Sequence, residues 1–246
     1  MRPARGLLWV LLAAALLSAV FVALGTWQVQ RLGWKKGLIA RTEARVSAAP
    51  VAPPDLRAWP AIQAAPVDFE YRRMRLQGEF LHADEALVQA STALGAGFWV
   101  LTPLRLPDGS IVLVNRGFVP PERRDPATRG APAPAGAVTV TGLLRISEPH
   151  GGFLRENDPA ANRWHSRDVA AIAAARRLPA DRVAPYFVDA EATPPGNTAP
   201  QWPVGGLTVV RFTDNHLVYA LTWYALAGMA AAGGWFVLRT ARRAPD

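Results

Sequence analysis

The 246-residue sequence contains no cysteine and lacks the common signatures of catalytic sites. The absence of cysteine excludes a disulfide framework, a Cys-ligated zinc or iron–sulfur site and a cysteine nucleophile. No phosphate-binding glycine loop, metalloprotease histidine pair or Gly-x-Ser-x-Gly elbow is present. The histidines are few and isolated in sequence, so their spacing predicts no metal cluster; they are His82, His150, His165 and His216.

Charged residues are also missing from two long stretches, one near each end of the chain. A run of 25 uncharged residues follows Arg5, and a run of 22 follows His216. A helix rises about 1.5 Å per residue, so about 20 apolar residues cross the hydrocarbon core of a bilayer. The runs predict transmembrane helices at 7–28 and 214–238, which excludes an ordinary cytosolic globular protein.

The basic residues predict the orientation of these two helices. Both short tails, 1–6 and 239–246, are rich in arginine, so we expect them to be cytoplasmic and the middle of the chain to lie across the membrane. Arg31, Lys35 and Lys36 oppose this orientation, but a long loop is translocated largely regardless of its charge. Half of the net charge of +8 belongs to the tails, and the rest is spread over a long domain. This distribution argues against a nucleic-acid partner.

The first run has a second interpretation, a cleaved signal peptide, since Ala23-x-Gly25 resembles a cleavage site. Its apolar stretch is long for such a leader, and the helical pattern continues to Glu43 with no proline before Pro50. We therefore expect an uncleaved anchor, followed at 29–66 by a helical extension and a linker rich in proline and alanine. Because no transit peptide precedes the span, a bacterial inner membrane is expected.

Small residues recur at a spacing of four in both runs, which allows helix backbones to approach closely. The spacing either marks a packing stripe or reflects the abundance of alanine in this chain. The residues concerned are Ala15, Ala19, Ala23, Gly228 and Ala232.

Residues 67–213 change to a period of two, which is typical of β-strands. Pro107-Asp108-Gly109 is a strong signal for a hairpin turn. The predicted strands are Tyr71–Phe80 with Met74, Leu76 and Phe80 facing inward, Ala86–Ala90, Phe98–Leu106, Ile111–Val119, Val138–Ile146, Pro185–Asp189 and Leu207–Phe212.

One helix is predicted within this β-rich segment, from a cap at Ser166 to about Leu178. The proline-rich stretch at 120–136 is expected to be a long loop. The predicted fold class is therefore an α+β membrane protein, in which two transmembrane helices flank an extracytoplasmic antiparallel sheet or small open barrel with one helix.

His216 stands out among the histidines because it opens the second span. It shares one helical face with Tyr219 and Trp223. A neutral imidazole at that depth can ligate haem iron, aromatic rings can hold a porphyrin, and Arg31 and Arg211 could pair with its propionates. The alternative is a histidine that only hydrogen-bonds near the membrane interface.

Several groups of residues, taken in order, resemble a known family. They are Gly25-x-Trp27-Gln28-x-x-Arg31-x-x-Trp34-Lys35, Val114-Asn115-Arg116-Gly117-Phe118-Val119-Pro120, Asn157-x-Pro159-x-x-Asn162-x-Trp164-x-x-x-Asp168, Asn215 and Leu217 around His216, and Tyr219-Ala220-x-Thr222-Trp223. Placed between two spans, this set resembles the surfeit locus family of cytochrome oxidase assembly factors, the Shy-type proteins of mitochondria and bacteria. The resemblance covers nearly the whole chain.

The resemblance implies a non-enzymatic role in the insertion of haem a into the large subunit of a haem–copper oxidase. Haem a would be carried transiently with His216 as its axial ligand. The implied partners are that large subunit and membrane lipid, with haem a synthase as a further candidate. The resemblance also marks motif positions outside the histidine face: Trp27, Gln28, Trp34, Asn115, Arg116, Gly117 and Trp164.

Other interpretations of these positions stay open at this point. Gly117 could serve a β-bulge, and Arg116 could pair structurally. The tryptophans and Arg31 could be interface anchors. For the whole chain, the competing functions are a chaperone of the oxidase subunit that never touches haem, and an unrelated membrane-anchored envelope enzyme.

Overall fold

A single long helix, α1 (Pro3–Ser47), contains the first uncharged run and continues well beyond it. The computed structural model describes residues 3–130, 132–152, 155–192, 202–208 and 215–243. The helical extension predicted from the sequence is confirmed. The helix ends just before Pro50, because a proline disfavours helical backbone in the residue that precedes it.

The second uncharged run forms α4 (His216–Ala241), which packs antiparallel to α1. Near the middle of both helices, Ser18 Oγ donates a hydrogen bond to Ala227 O at 3.0 Å. Closer to its N-terminus, α4 approaches Gly25 through Tyr224, and towards its C-terminus Gly234 approaches Ala14. Both helices are long and apolar enough to cross a membrane.

The two helices belong to one compact unit, Met1–Thr42 with Val210–Asp246, here called the helical unit. A groove of about 700 Å³ runs along it and is lined on one side by Ala15, Ala19 and Ala23. On α4 the second interpretation, the abundance of alanine, applies, because Gly228 and Ala232 are exposed and a Cβ added at Gly228 would meet nothing within 4 Å. The small residues that α4 buries are Ala220 and Ala227.

The remaining chain, Glu43–Val209, forms a second compact unit built on a curled sheet, here called the barrel unit. Its strands follow the sequence prediction closely. They are β1 (Arg73–Phe80), β2 (Ala86–Thr92), β3 (Gly95–Arg105), β4 (Ile111–Val119), β5 (Ala137–Ile146) and β6 (Val183–Ala190).

The sheet has the order β1-β5-β6-β4-β3-β2, and a further pairing of β1 with β3 closes it into a barrel. The prediction of a wholly antiparallel sheet is wrong in one place, since β4 and β6 run parallel. A parallel pair requires a crossover connection. The chain supplies one here, because β5 and a helix lie between these two strands in sequence.

Two apolar clusters hold the barrel unit together. One lies inside the barrel and includes the predicted inward side chains Met74, Leu76 and Phe80. The other lies between the outer face of the sheet and the helix α3 (Val169–Ala175), where Trp164 and Ile172 are fully buried. Burial of these large side chains supplies the main driving force for folding of this unit.

The predicted helix start at Ser166 is wrong. Asp168 caps α3, and its Oδ1 accepts from Ala171 N at 3.1 Å. Ser166 is occupied elsewhere, since its hydroxyl donates to Glu148 O at 2.6 Å. The helix also ends at Ala175, short of the predicted Leu178.

The segments predicted as irregular contain short helices. The linker at 50–66 holds α2 (Trp59–Ala64), which buries Ile62 against the barrel core. Single 3₁₀ turns occur at Leu56–Ala58, Pro66–Asp68, His82–Asp84, Pro121–Arg123 and Pro126–Thr128.

Two further predictions concern the ends of strands. The Pro107-Asp108-Gly109 turn is confirmed, with Asp108 Oδ1 accepting from Ser110 N at 2.9 Å. Of the strand predicted at Leu207–Phe212, the first two residues are not in a strand and the others lie outside the described residues.

Candidate functional site

The helical unit brings His216 and Gln28 together. Nδ1 of His216 lies 2.7 Å from Oε1 of Gln28, across 188 residues of sequence. An amide oxygen accepts hydrogen bonds, so in this contact the Nδ1 atom of His216 is the donor. A hydrogen bond from a ring nitrogen to an oxygen fixes the orientation of the imidazole, and metal-ligating histidines commonly have such a bond.

The aromatic residues predicted beside His216 have different environments. Trp223 stacks on Phe21 of α1, with ring centroids 5.6 Å apart and planes inclined by 26°. Tyr219 shares the same helical face but is 54% exposed. The predicted face therefore exists, and one of its rings is fixed by α1 while the other is open to the surroundings of the helix.

Tyr224 completes the contact between the helices and was missed in the sequence. Its hydroxyl lies 3.2 Å from Thr26 Oγ1, and its ring lies against Gly25. A Cβ added at Gly25 would come within 2.8 Å of Tyr224 Cε1. The presence of Gly25 in the first motif was the available signal, because a glycine in a helix interior often marks a close approach.

The basic and aromatic residues on either side of Gln28 form a group of their own on α1. The guanidinium carbon of Arg31 lies 4.1 Å from the centroid of the Trp34 ring, within the range of a cation–π contact. Trp27 and Trp34 are 55% and 52% exposed. Arg211, the second predicted partner of propionates, lies outside the described residues.

His216 is one imidazole donor, and a haem is a group that one such donor could hold. Among the described residues, no group of three or more His, Cys, Asp and Glu side chains could hold a metal ion. A haem iron already has four porphyrin nitrogens and takes only one or two ligands from the protein. A single oriented imidazole is sufficient for that purpose.

Asn115 lies in the barrel unit and is part of a buried polar network. Its Nδ2 donates to Asp189 Oδ1 at 2.8 Å, and its Oδ1 accepts from Gly117 N at 3.1 Å. The Asp189 carboxylate, 2% exposed, also accepts from Arg145 at 3.0 Å and from Arg167 at 3.2 Å. The network joins strands of the barrel, which is a structural role.

The outer end of this network includes Glu148, to which Arg167 Nε donates at 3.1 Å. Burial alone would raise the pKa of Glu148. The hydrogen bond and charge of Arg167, together with the charge of Arg145, lower that pKa below its ordinary value. The carboxylate is therefore stabilised in its charged form.

Gly117 occupies a β-bulge, as one interpretation of the sequence predicted. The register of β4 against β3 shifts beside it, and its φ is 129°. An added Cβ would overlap the carbonyl of Val204, which pairs with the neighbouring Phe118. A glycine is needed here for both reasons.

Trp164 is 1% exposed and belongs to the outer core cluster. Its Nε1 donates to Asn162 Oδ1 at 2.8 Å. Trp164 is therefore a packing residue, and the motif around it shapes the approach to α3.

These features define a class: two long apolar helices that precede and follow a curled β-barrel unit in sequence, with a histidine at the start of the second helix. The SURF1 family model matches residues 15–228. The chain belongs to the SURF1 family, which confirms the resemblance drawn from its motifs.

Curated relatives support the same assignment. Surfeit locus protein 1 of Homo sapiens is 38% identical over 93% of this chain and 76% of the human protein. A SURF1-like protein of Monosiga brevicollis is 36% identical over 95% of this chain and 88% of its own length. Surfeit locus protein 1 of Takifugu rubripes is 32% identical over 93% and 95%.

Proposed function

We propose that this protein is a membrane-anchored assembly factor for a haem–copper terminal oxidase, which carries haem a on His216 and aids its insertion into the large catalytic subunit. The observation that carries the proposal is the 2.7 Å hydrogen bond between His216 Nδ1 and Gln28 Oε1. This contact fixes the imidazole ring, as hydrogen bonds from ligating histidines to nearby oxygens do at metal sites. Membership of the SURF1 family supplies the assembly role.

The membrane placement rests on the surfaces of the two helices. Large apolar side chains are exposed along them, among them Trp9 at 70%, Leu16 at 66% and Trp235 at 63%. Such surfaces are stable in hydrocarbon and costly in water. With arginine-rich tails in the cytoplasm, the barrel unit of a bacterial member would be periplasmic.

The chain's own residues would perform three tasks. His216 supplies the axial nitrogen, Gln28 holds its ring and proton in place, and Trp223, packed on Phe21, gives the site a fixed aromatic wall. Arg31 of α1 is proposed to form an ion pair with a haem propionate. No catalytic step is needed, because transfer requires only that docking on the acceptor lowers the affinity for the cargo.

The test is the visible spectrum of the protein purified from cells that make haem a. Wild type should carry the Soret and alpha bands of haem a, and His216→Ala should lose them. Gln28→Leu should retain a reduced fraction, since loss of an orienting partner typically costs about 10–100-fold in metal affinity. His165→Ala, in the barrel unit, is the matched control and should match wild type.

A wild-type protein without haem bands would disprove the haem role. The haem content of the oxidase large subunit should then be measured in a strain lacking this protein. A fall in that content would leave an oxidase chaperone that does not bind haem. Normal content would remove the assembly role as well.

A further inference from the structure

Arg116 lies where β4 bulges, at the end of the column of side chains that faces the barrel core. Val112 and Val114 precede it on that face and are buried in the inner cluster. The Arg116 side chain itself is only 13% exposed. Bulges are common at barrel rims, where they redirect a side chain.

The guanidinium of Arg116 is held by weak contacts only. Its carbon lies 5.1 Å from the centroid of the Phe80 ring, a cation–π distance. The nearest carboxylate oxygen, Glu85 Oε2, is 3.9 Å from Nη1, which is beyond hydrogen-bond range. In the part of the chain that the structure describes, the Arg116 side chain makes no hydrogen bond.

The neighbouring Arg129, in contrast, has hydrogen-bond acceptors for its guanidinium group. It donates to both oxygens of Glu85, at 2.9 and 2.7 Å. It also donates to the carbonyls of Arg123 and Arg124, both at 3.1 Å. Glu85 is thus hydrogen-bonded to Arg129, and it pairs with Arg116 only at the longer distance of 3.9 Å.

Among the described residues, the group formed by Arg116, Arg129 and Glu85 has two cations and one carboxylate, all mostly buried, and Arg176 donates to the Glu85 carbonyl at 2.8 Å. A mostly buried cation whose ion pair is as long as 3.9 Å is stabilised less than one with a close hydrogen-bonded carboxylate. The pKa of Arg116 lies below its ordinary value. Burial is the main cause and the charge of Arg129 adds to it, while the charge of Glu85 acts in the opposite direction. A single added negative charge would balance the group.

We propose that Arg116 is the binding group of a carboxylate subsite at this end of the barrel. One carboxylate can meet the two-pronged edge of the guanidinium, while Phe80 supports its flat face. The Glu85 carboxylate, 3.9 Å away, disfavours a doubly charged phosphate by repulsion. The ligand is an organic acid, either an acidic side chain of a partner protein or a small molecule. The subsite is independent of the haem role proposed for the helical unit.

The first experiment measures the thermal unfolding midpoint of the full-length protein in detergent during titration with sodium propionate. Sodium chloride at equal ionic strength is the reference. Occupancy at about ten times the dissociation constant should raise the midpoint by about 2–5 °C for a chain of this size. Arg116→Gln should abolish the rise, and Arg182→Gln, at an exposed surface position, should keep it.

Labelling of unsubstituted protein gives a second reading that does not depend on the folding of a variant. Phenylglyoxal modifies arginine, and mass spectrometry reports its rate at each site. Propionate should slow modification of Arg116 several-fold and leave Arg182 unchanged. A tripeptide with one glutamate, at equal carboxylate concentration, distinguishes the sources: stronger protection than propionate indicates a protein-borne ligand, and equal protection a small acid.

Three results would overturn the proposal. The first is a propionate effect on the midpoint and labelling no larger than that of chloride. The second is a rise in midpoint that persists in a folded Arg116→Gln variant. The third is inorganic phosphate protecting Arg116 as well as propionate does, which would exclude selectivity for a singly charged carboxylate.

Discussion

The amide of Asn115 donates to the carboxylate of Asp189 at 2.8 Å, so that the parallel strands β4 and β6 are joined through buried side chains as well as through their backbones. The same amide accepts from Gly117 N. One side chain thus satisfies a buried anion and holds the start of the bulge.

Replacement of this amide should destabilise the barrel unit. Asn115→Leu removes a donor from a buried carboxylate and an acceptor from a buried N–H, and we expect a loss of about 2–4 kcal/mol. Chemical denaturation followed by circular dichroism measures it. Gln77→Leu, an exposed position on β1, should change the unfolding free energy by less than about 0.5 kcal/mol.

Gly117 should tolerate no side chain. In Gly117→Ala, the backbone is strained by its positive φ and the new Cβ also clashes with the Val204 carbonyl. We therefore expect the free energy of unfolding to fall by at least about 3 kcal/mol. Gly109→Ala separates the two effects, because Gly109 also has a positive φ, of 81°, but no neighbour within 4 Å. Its expected cost is about 1–2 kcal/mol. Equal losses in the two variants would contradict the steric argument.

The lowered pKa of Glu148 makes part of the stability depend on pH. A carboxyl group whose folded pKa lies below its unfolded value stabilises the protein above the unfolded pKa. The contribution is lost as the pH falls through the folded pKa. Glu148→Gln should therefore cost about 1 kcal/mol at pH 7, a modest value because the side chain is 39% exposed.

The difference between Glu148→Gln and wild type should shrink as the pH falls below about 4.5, towards the folded pKa. Unfolding free energies measured from pH 7 to pH 3 give this profile. Glu156→Gln, at an exposed position, serves as the control. A difference that stays constant across the range would show that the carboxylate charge contributes nothing.

The antiparallel packing of α1 and α4 can be tested without background, since the chain has no cysteine. Ser18 Oγ lies 3.0 Å from the carbonyl of Ala227. The double variant Ser18→Cys with Ala227→Cys should therefore form an intramolecular disulfide on mild oxidation in membranes. Ser18→Cys with Gly228→Cys is the matched control and should react much more slowly, because Gly228 faces open space. Comparable cross-linking of both pairs would show that α4 does not pack on α1 through the face that contains Ala227.

Strand β1 was predictable because buried and exposed residues alternate along it. Met74, Leu76 and Phe80 face the inner core as the period of two requires. The N-cap of α3 was not predictable from the sequence, because serine and aspartate, here Ser166 and Asp168, are equally common cap residues. The choice is made by tertiary contacts of the serine with Glu148 O. The parallel pairing of β4 and β6 leaves no local signal either.

In the candidate site, too, the individual residues could be predicted from the sequence but their tertiary contacts could not. His216 was predictable from its position at the start of an uncharged run, and Gln28 from its place in a motif. Their hydrogen bond joins residues far apart in sequence, and no periodicity reports such a contact. Phe21 and Tyr224 were missed because aromatic residues in apolar helices are expected in any orientation.

The order of strands in the sheet has a consequence for biosynthesis. β4 finds its second neighbour only in β6, and β1 pairs with β5 along most of its length. A nascent chain that has emerged only as far as β4 thus exposes bare hydrogen-bonding edges, the surfaces on which polypeptides aggregate. The ribosome must complete most of the chain before those edges are covered. Shielding of the half-made polypeptide is therefore the step at which this protein is most vulnerable to aggregation.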